Sequence, residues 1–267
     1  MELEGKSAIY IHGTHEEEQG RLSRLNMLTN GPFLQFLDIR DGDNVLEVGS
    51  GLGILSEEIA LKFPSCLVHG VEYSVEQLTA SAAWAPNLCL RQGDAHSLPF
   101  EDNQFDVVYC RYVLEHLHNP EVAVAEMFRV LKQGGKFFCQ ENDDSMVTFD
   151  PPCPNLEAVF DQFILEQAKA GGDGCIGRRL FGLLKRARFQ NISLSLQPQL
   201  HWYDEPTYPI WLDNMAEIIR GATESIIASG KVTELELANS IAEIENLKSN
   251  IYGSALFHWN RAVGEKS

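Results

Sequence analysis

Two patterns of hydrophobic and polar positions follow one another along the chain. From residue 44 to 142, short apolar runs alternate with segments whose apolar positions recur every three or four residues. The runs are "NVLEVG" (44–49), "CLVHGVEY" (66–73), "LCLRQGD" (88–94), "FDVVYCR" (105–111) and "GKFFCQEN" (135–142). Near-continuous apolar strands separated by helices predict a parallel sheet covered on both faces, since such a strand has no polar face to show to water. Beyond the proline-rich "FDPPCPN" (149–155), which reads as a linker, the pattern turns helical over 155–169 (Val159, Phe160, Phe163, Ile164), 177–187, 208–229 (Ile218, Ile219, Ile226, Ile227) and 233–249. "NISLSLQPQLHWY" and "SALFHWNRAV" predict two more strands. Capping boxes at Thr14-x-x-Glu17, Ser74-x-x-Gln77 and Thr233-x-x-Glu236 predict helix starts near His15, just after Glu72 and at 233. Residues 8–30 predict a capped helix with Leu22, Leu25 and Leu28 inward.

Composition narrows the classes. A chain of 267 residues, 44% of them hydrophobic, can bury a core and fits one α/β domain with an elaboration or two small domains. The 38 acidic against 21 basic residues give −17, which repels a phosphate backbone; the densest basic stretch, "RRLFGLLKRAR" (178–188), reads as a solvated helix face. No nucleic-acid or membrane partner is expected. "MELEGKSAIY" carries no secretory pattern, and six cysteines (66, 89, 110, 139, 153, 175) form no C-x-x-C pair, so they read as reduced, mostly buried thiols of a cytoplasmic protein.

The segment "VLEVGSGLG" (45–53) ends a strand in three alternate glycines and opens a helix. Such a turn either lets a ligand touch main chain or allows close helix–strand packing. Its G-x-G-x-G spacing, with Glu47 inside the strand end, departs from the G-x-G-x-x-G of nicotinamide enzymes, and a pyrophosphate would be repelled by Glu47. Glu72, 19 residues beyond Gly53 at the end of the second strand, is placed to accept from both ribose hydroxyls of an adenosine. Asp94 could accept from an adenine amine while Ala95 offers its backbone N–H.

Taken in series, "LEVGSGLG", "VEYS", "GDAHSLPFEDNQFDVV", "LEHL" and "VLKQGGKF" resemble the class I S-adenosylmethionine-dependent methyltransferases, in particular the small-molecule branch that methylates quinones and natural products. The resemblance covers residues 44–142. It implies a Rossmann-like, doubly wound α/β sheet of seven strands with the last antiparallel, an N-terminal helical cap and a helical insertion near the C-terminus. It also implies S-adenosylmethionine as cofactor: Gly49 and Gly51 under its methionyl and ribose part, Glu72 on the ribose and Asp94 with Ala95 on the adenine. Tyr73 and Gln77 would border the ring, where Gln77 replaces the usual apolar residue. Glu47 and Arg111 would face the amino-acid end, with Tyr10 and Arg21 reaching the carboxylate from the cap.

The expected organisation is one methyltransferase domain over 1–267, with a lid at 8–30, a cofactor-binding core at 44–142 and a substrate cover from 150–190 and 204–250. Trp202, Tyr203, Tyr208 and Trp211 would roof that cover. The expected activity is methyl transfer to a small molecule by in-line displacement. A noncatalytic adenosyl-ligand binding protein and a nicotinamide oxidoreductase are the alternatives. His116 is the first candidate base, ahead of Glu141 and His201; the acids Asp143 and Asp144 lack further ligand spacing, and no metal is expected.

Overall fold

The computed structural model describes residues 16–267, without the side chains of 16–19, 21–23 and 27. Tyr10 and the Thr14 cap therefore lie outside the described residues, and only the backbone of Arg21 falls within them. A helix, α1 (Glu16–Phe36), precedes the alternating core: β1 (Asn44–Val48), α2 (Ile54–Lys62), β2 (Leu67–Glu72), α3 (Val75–Ala80), β3 (Leu88–Gln92), β4 (Phe105–Arg111), α4 (Pro120–Val130) and β5 (Leu131–Glu141). Then come β6 (Thr148–Asp150), α5 (Pro154–Lys169), α6 (Leu180–Arg186), β7 (Gln190–Trp202), α7 (Tyr208–Gly221), α8 (Thr223–Ala228), α9 (Glu234–Ser249) and β8 (Ser254–Glu265).

The strands lie in the order β3-β2-β1-β4-β5-β8, with β7 on the outer side of β8. β1 to β5 pair in parallel, and β8 runs antiparallel to both β5 and β7. The expected seven strands are present with the last reversed; β6 is an eighth, three residues long, paired with the start of β8 inside what the sequence suggested was linker. Successive strands run outward from β1 to β3, and the chain then returns to place β4 on the other side of β1. The crevice at that reversal lies beyond the C-terminal ends of β1 and β4, where ligands of open α/β sheets bind.

Period-2 alternation assigns the two faces. Val45, Val107, Tyr109 and Phe138 point to one side, under Leu55 and Ile59 of α2, Phe33 of α1 and Leu37 just after it. Leu46, Val48, Val108, Cys110, Phe137 and Cys139 point to the other, under Met127 of α4 and Leu180, Leu183 and Leu184 of α6. Two expectations change here. The C-terminal half of α1 is a core helix of the sheet, and the 177–187 pattern splits into a 3₁₀ turn (Ile176–Arg179) and α6, both joined to the sheet core and not to a cover. A second apolar core forms among α5, α7, α8 and α9, with Phe149, Phe257 and Trp259 from the strands beneath. Cys66, Cys110, Cys139 and Cys153 are buried, whereas Cys89 is exposed because β3 is an edge strand; all six thiols are free.

α9 starts at the expected capping box: Thr233 Oγ1 accepts from Glu236 N–H, and the Glu236 carboxylate accepts from Thr233 N–H. At α3 only half of the box forms. Ser74 accepts from the Gln77 N–H, but the Gln77 side chain turns away toward the glycine turn.

Candidate active site

Gly49, Gly51 and Gly53 all have positive φ, at 75°, 54° and 74°. The physical reasons differ along the turn. A Cβ on Gly53 would lie 2.6 Å from Leu90, and one on Gly49 would lie 2.4 Å from Val113, so both are needed for packing. At Gly51 the near neighbour is the end of the Gln77 side chain, 2.9 Å away, and that carbonyl oxygen is buried without a partner among the described residues. Ligand contact and close packing are therefore both served by one motif, at different glycines.

Glu72 holds the turn in place. One carboxylate oxygen accepts from the Gly51 N–H and the other from the Ser74 N–H, each at 2.8 Å, so the end of β2 is tied to the glycine turn and to the start of α3. Each oxygen keeps lone-pair capacity for a further donor. Asp94 sits in a tight turn closed by Ser97 N–H on its carbonyl, and one of its oxygens accepts from His96 N–H at 2.8 Å. Tyr73 is exposed at the rim.

Glu47 is buried at the end of β1 beside Ser56, which donates to it, and near Arg111. Burial outweighs both of these neighbours and pushes its carboxyl up to about 7. Arg111, at the end of β4, spends much of its guanidinium on α1: it donates to Thr29 at 2.9 Å and Asn30 at 2.8 Å, bonds Asn26, and lies over the Phe33 ring. Sequence spacing missed this anchor, because Asn26, Thr29 and Asn30 share a face only once α1 is laid across β4. The next residue, Tyr112, adopts φ 58°, a strained conformation that turns the chain into the cavity wall.

Glu47, Gly49, Gly51, Glu72, Tyr73, Gln77, Asp94, Ala95 and Arg111 all line one cavity of about 360 Å³. That cavity continues past the sheet to Glu115, His116, Asn142, Asp144 and Gln167, under Phe160, Phe163, Trp211 and Trp259. Of the four aromatics expected as a roof, only Trp211 lines it. Tyr208 is buried with its hydroxyl on the Leu247 carbonyl, and Trp202 and Tyr203 face solvent.

The candidate bases separate. Glu141 is fully buried and accepts from the N–H groups of Val113 at 3.1 Å and Leu114 at 3.0 Å, so it caps the 3₁₀ turn after β4; burial and nearby Glu115 push it up to about 8. His201 stacks on Trp211 with Nδ1 2.9 Å from Thr207, away from the cavity lining. Both are structural. His116 alone of the three faces the cavity, with Nε2 3.5 Å from Glu115. Asp143 turns aside to Arg178, which overrides the upward push of burial and holds that carboxyl below its usual range. Among the described residues, the side chains within mutual metal-ligand reach are Cys110, Cys139 and Glu141, below the cavity, where burial raises both thiols and keeps them protonated.

Residues 46–139 match the methyltransferase domain family. A demethylmenaquinone methyltransferase of Renibacterium salmoninarum is 33% identical over 129 residues, 48% of this chain and 51% of that one. The YcgJ protein of Bacillus subtilis, described as an uncharacterized methyltransferase, is 33% identical over 139 residues, half of each chain. The solved YcgJ structure superposes with a TM-score of 0.57 at 22% identity, over 90% of this chain and 98% of that one. Phosphoethanolamine N-methyltransferase 2 of Haemonchus contortus, solved with S-adenosyl-L-methionine, superposes at 0.52 and 19% identity, over 93% of this chain and 52% of that one. The chain spans about half the length of the curated relatives it matches. No described helix is long and apolar enough to cross a membrane. The sheet order and the glycine turn agree with the methyltransferase-domain match over residues 46–139 and with the Rossmann-like fold of the solved neighbours.

Proposed function

We propose that the protein transfers a methyl group from S-adenosylmethionine to a small-molecule acceptor. One observation carries this reading. Side chains from the ends of β1, β2, β3 and β4 that the family resemblance assigns to the cofactor converge on one cavity, and that cavity runs on into an aromatic-walled chamber. The residues fit the group. Glu72 presents two anchored carboxylate oxygens to a ribose diol, Gln77 offers a buried, unpartnered acceptor beside Gly51, and Asp94 has a second oxygen beyond the one bonded to His96. Glu47 and Arg111 place a carboxyl and a guanidinium at the ends of β1 and β4, where an amino acid's ammonium and carboxylate would lie.

When bound, S-adenosylmethionine supplies an electrophilic methyl on a cationic sulfur. The chain's own part is to exclude water with α5, α7 and the strand aromatics, and to hold the acceptor in line at near-attack distance. α1 is joined to the cover by Arg24, which pairs with Glu217 of α7 at 2.6 Å, and to the sheet by Arg111, so residues 24–30 border the site between two anchors. An aromatic-lined cavity beneath the helical cover and a net charge of −17 favour a small acceptor over nucleic acid. The test is calorimetry with S-adenosylhomocysteine, followed by transfer of labelled methyl groups from S-adenosylmethionine into a metabolite extract. Micromolar or tighter binding with label in a small molecule is the expected result. Label confined to RNA or protein, or failure to bind the cofactor product, overturns it.

A further inference from the structure

Three buried acceptor groups crowd the chamber beyond the cofactor positions, and few donors face them. Asp144 is nine-tenths buried; its backbone N–H is bonded to the Gly174 carbonyl, but its carboxylate accepts no hydrogen bond from any described residue. Gln167 is 2% exposed, and its side-chain oxygen is buried with no partner among the described residues. These two oxygens approach one place from different elements: a Cβ on Gly174 would lie 2.4 Å from Gln167 Oε1 and 2.8 Å from Asp144 Oδ2. Glu115, 4% exposed, receives the Asn142 amide at 3.1 Å and has His116 at 3.5 Å. The Arg178 guanidinium is held by Asp143, at 2.6 and 2.7 Å, and does not line the cavity.

Resting on the methyltransferase reading, we infer that the acceptor is a protonated amine, its N–H groups directed at Asp144, Gln167 and Glu115 and its body against Phe160, Trp211 and Trp259. Buried carboxylates are expensive without a cation, and an ammonium brings up to three donors together with the missing charge. A hydroxyl would bring one donor and no charge, and a carboxylate would be repelled. The aromatic walls add ring faces on which a cation is favourable. Glu115 and Asp144 do not come within shared metal-ligand distance as part of any three-residue set among the described residues, so the arrangement suits a donor with several hydrogens better than a bare ion.

The same groups provide for the proton that must leave first. The ammonium gives one proton to the Asp144 carboxylate, whose affinity for it is raised by burial and by Glu115 and Asp143. The freed nitrogen lone pair then forms the nitrogen–carbon bond as the carbon–sulfur bond breaks, and that bond's electron pair stays on sulfur as a neutral thioether. The positive charge passes to the methylated nitrogen.

The test uses the full chain saturated with S-adenosylhomocysteine and calorimetry against shape-matched pairs: 2-phenylethylamine with 2-phenylethanol, and tryptamine with tryptophol. The amine of at least one pair is expected to bind about tenfold or more tighter than its alcohol, and labelled S-adenosylmethionine to label that nitrogen. Asp144→Asn and Gln167→Leu should each erase the preference while leaving affinity for S-adenosylhomocysteine within about twofold. Equal or weaker amine binding in both pairs, or a preference that survives both substitutions, overturns the assignment while the cofactor reading stands. Failure to bind S-adenosylhomocysteine at all overturns the cofactor reading, and this assignment with it.

Discussion

The two ends of the cavity treat carboxylates in opposite ways. Glu72, at the end proposed for the cofactor, is supported by two backbone N–H groups that tie it to the glycine turn and to the start of α3. Asp144, three strands away across the sheet and roughly 14 Å off at ~4.8 Å per strand, has no donor among the described residues. A preorganised acid suits a ligand common to a whole family, because the fold itself can supply the donors that fix it. An acid left without a donor favours whatever molecule brings one. The contrast teaches that the first end is set by backbone geometry and the second by side chains alone.

The harshest way to break the first end is Gly51→Val. A branched residue at φ 54° costs about 1–2 kcal/mol in backbone strain and meets the Gln77 side chain where the ligand should lie. Calorimetry should show S-adenosylhomocysteine affinity falling by about a thousandfold, ~4 kcal/mol, in a protein that still unfolds cooperatively.

Next in size is a pH effect at Glu47. Its carboxyl titrates near 7 when folded, against 4.5 for an ordinary glutamate, so the folded state binds the proton more tightly. The contribution is fully present below the unfolded value and is lost as pH rises through about 7, and at 1.36 kcal/mol per unit it amounts to about 3 kcal/mol. Denaturant unfolding of the ligand-free protein between pH 4.5 and 8 should show that decline on top of the one from Glu141, and Glu47→Gln should reduce it. An identical slope in the variant would show that Glu47 titrates normally.

Glu72→Gln sharpens the comparison more gently. It sets an amide NH₂ against the N–H of Gly51 or Ser74, and about 1.5–3 kcal/mol of charge-assisted bonding is lost. S-adenosylhomocysteine should bind at least ~10-fold more weakly, with some loss of thermal stability. Unchanged affinity in a folded variant would leave Glu72 with only its role in bracing the turn.

Two smaller effects separate the cover from the core. If α1 closes over the cofactor, amides of residues 24–30 should gain about tenfold exchange protection with S-adenosylhomocysteine, since their anchors at Arg111 and Glu217 flank the site. Equal protection without ligand would make α1 a fixed packing helix throughout. Thr233→Ala removes the cap of α9, well away from the glycine turn, and should cost about 1 kcal/mol in stability with cofactor affinity unchanged.

The legibility of the molecule divides along the same line. The five parallel strands were readable within a few residues because each is a short, mostly apolar run bounded by turn residues, and the glycine turn with Glu72 and Asp94 because local chain geometry demands particular residues at fixed offsets. The start of β5 was missed: Lys132 to Gly135 loop out between two paired stretches, so Leu131 joins the strand directly from α4. The role of Glu141 was missed as well, since a carboxylate that caps a distant 3₁₀ turn has the same sequence signature as one that faces a ligand.

Sequence by itself determined the order of elements, the strand ends where a ligand could meet backbone, and the residues that resemble a cofactor site, because each depends on neighbours within one β-α unit. Tertiary structure alone decided that Arg111 is shared with α1, that α6 belongs to the sheet core, and that Asp144, Gln167 and Glu115 meet in one chamber. Those three come from the ends of separate elements, between 115 and 167 in the chain. Their proximity follows from packing of the helical cover on the sheet, which no local pattern encodes.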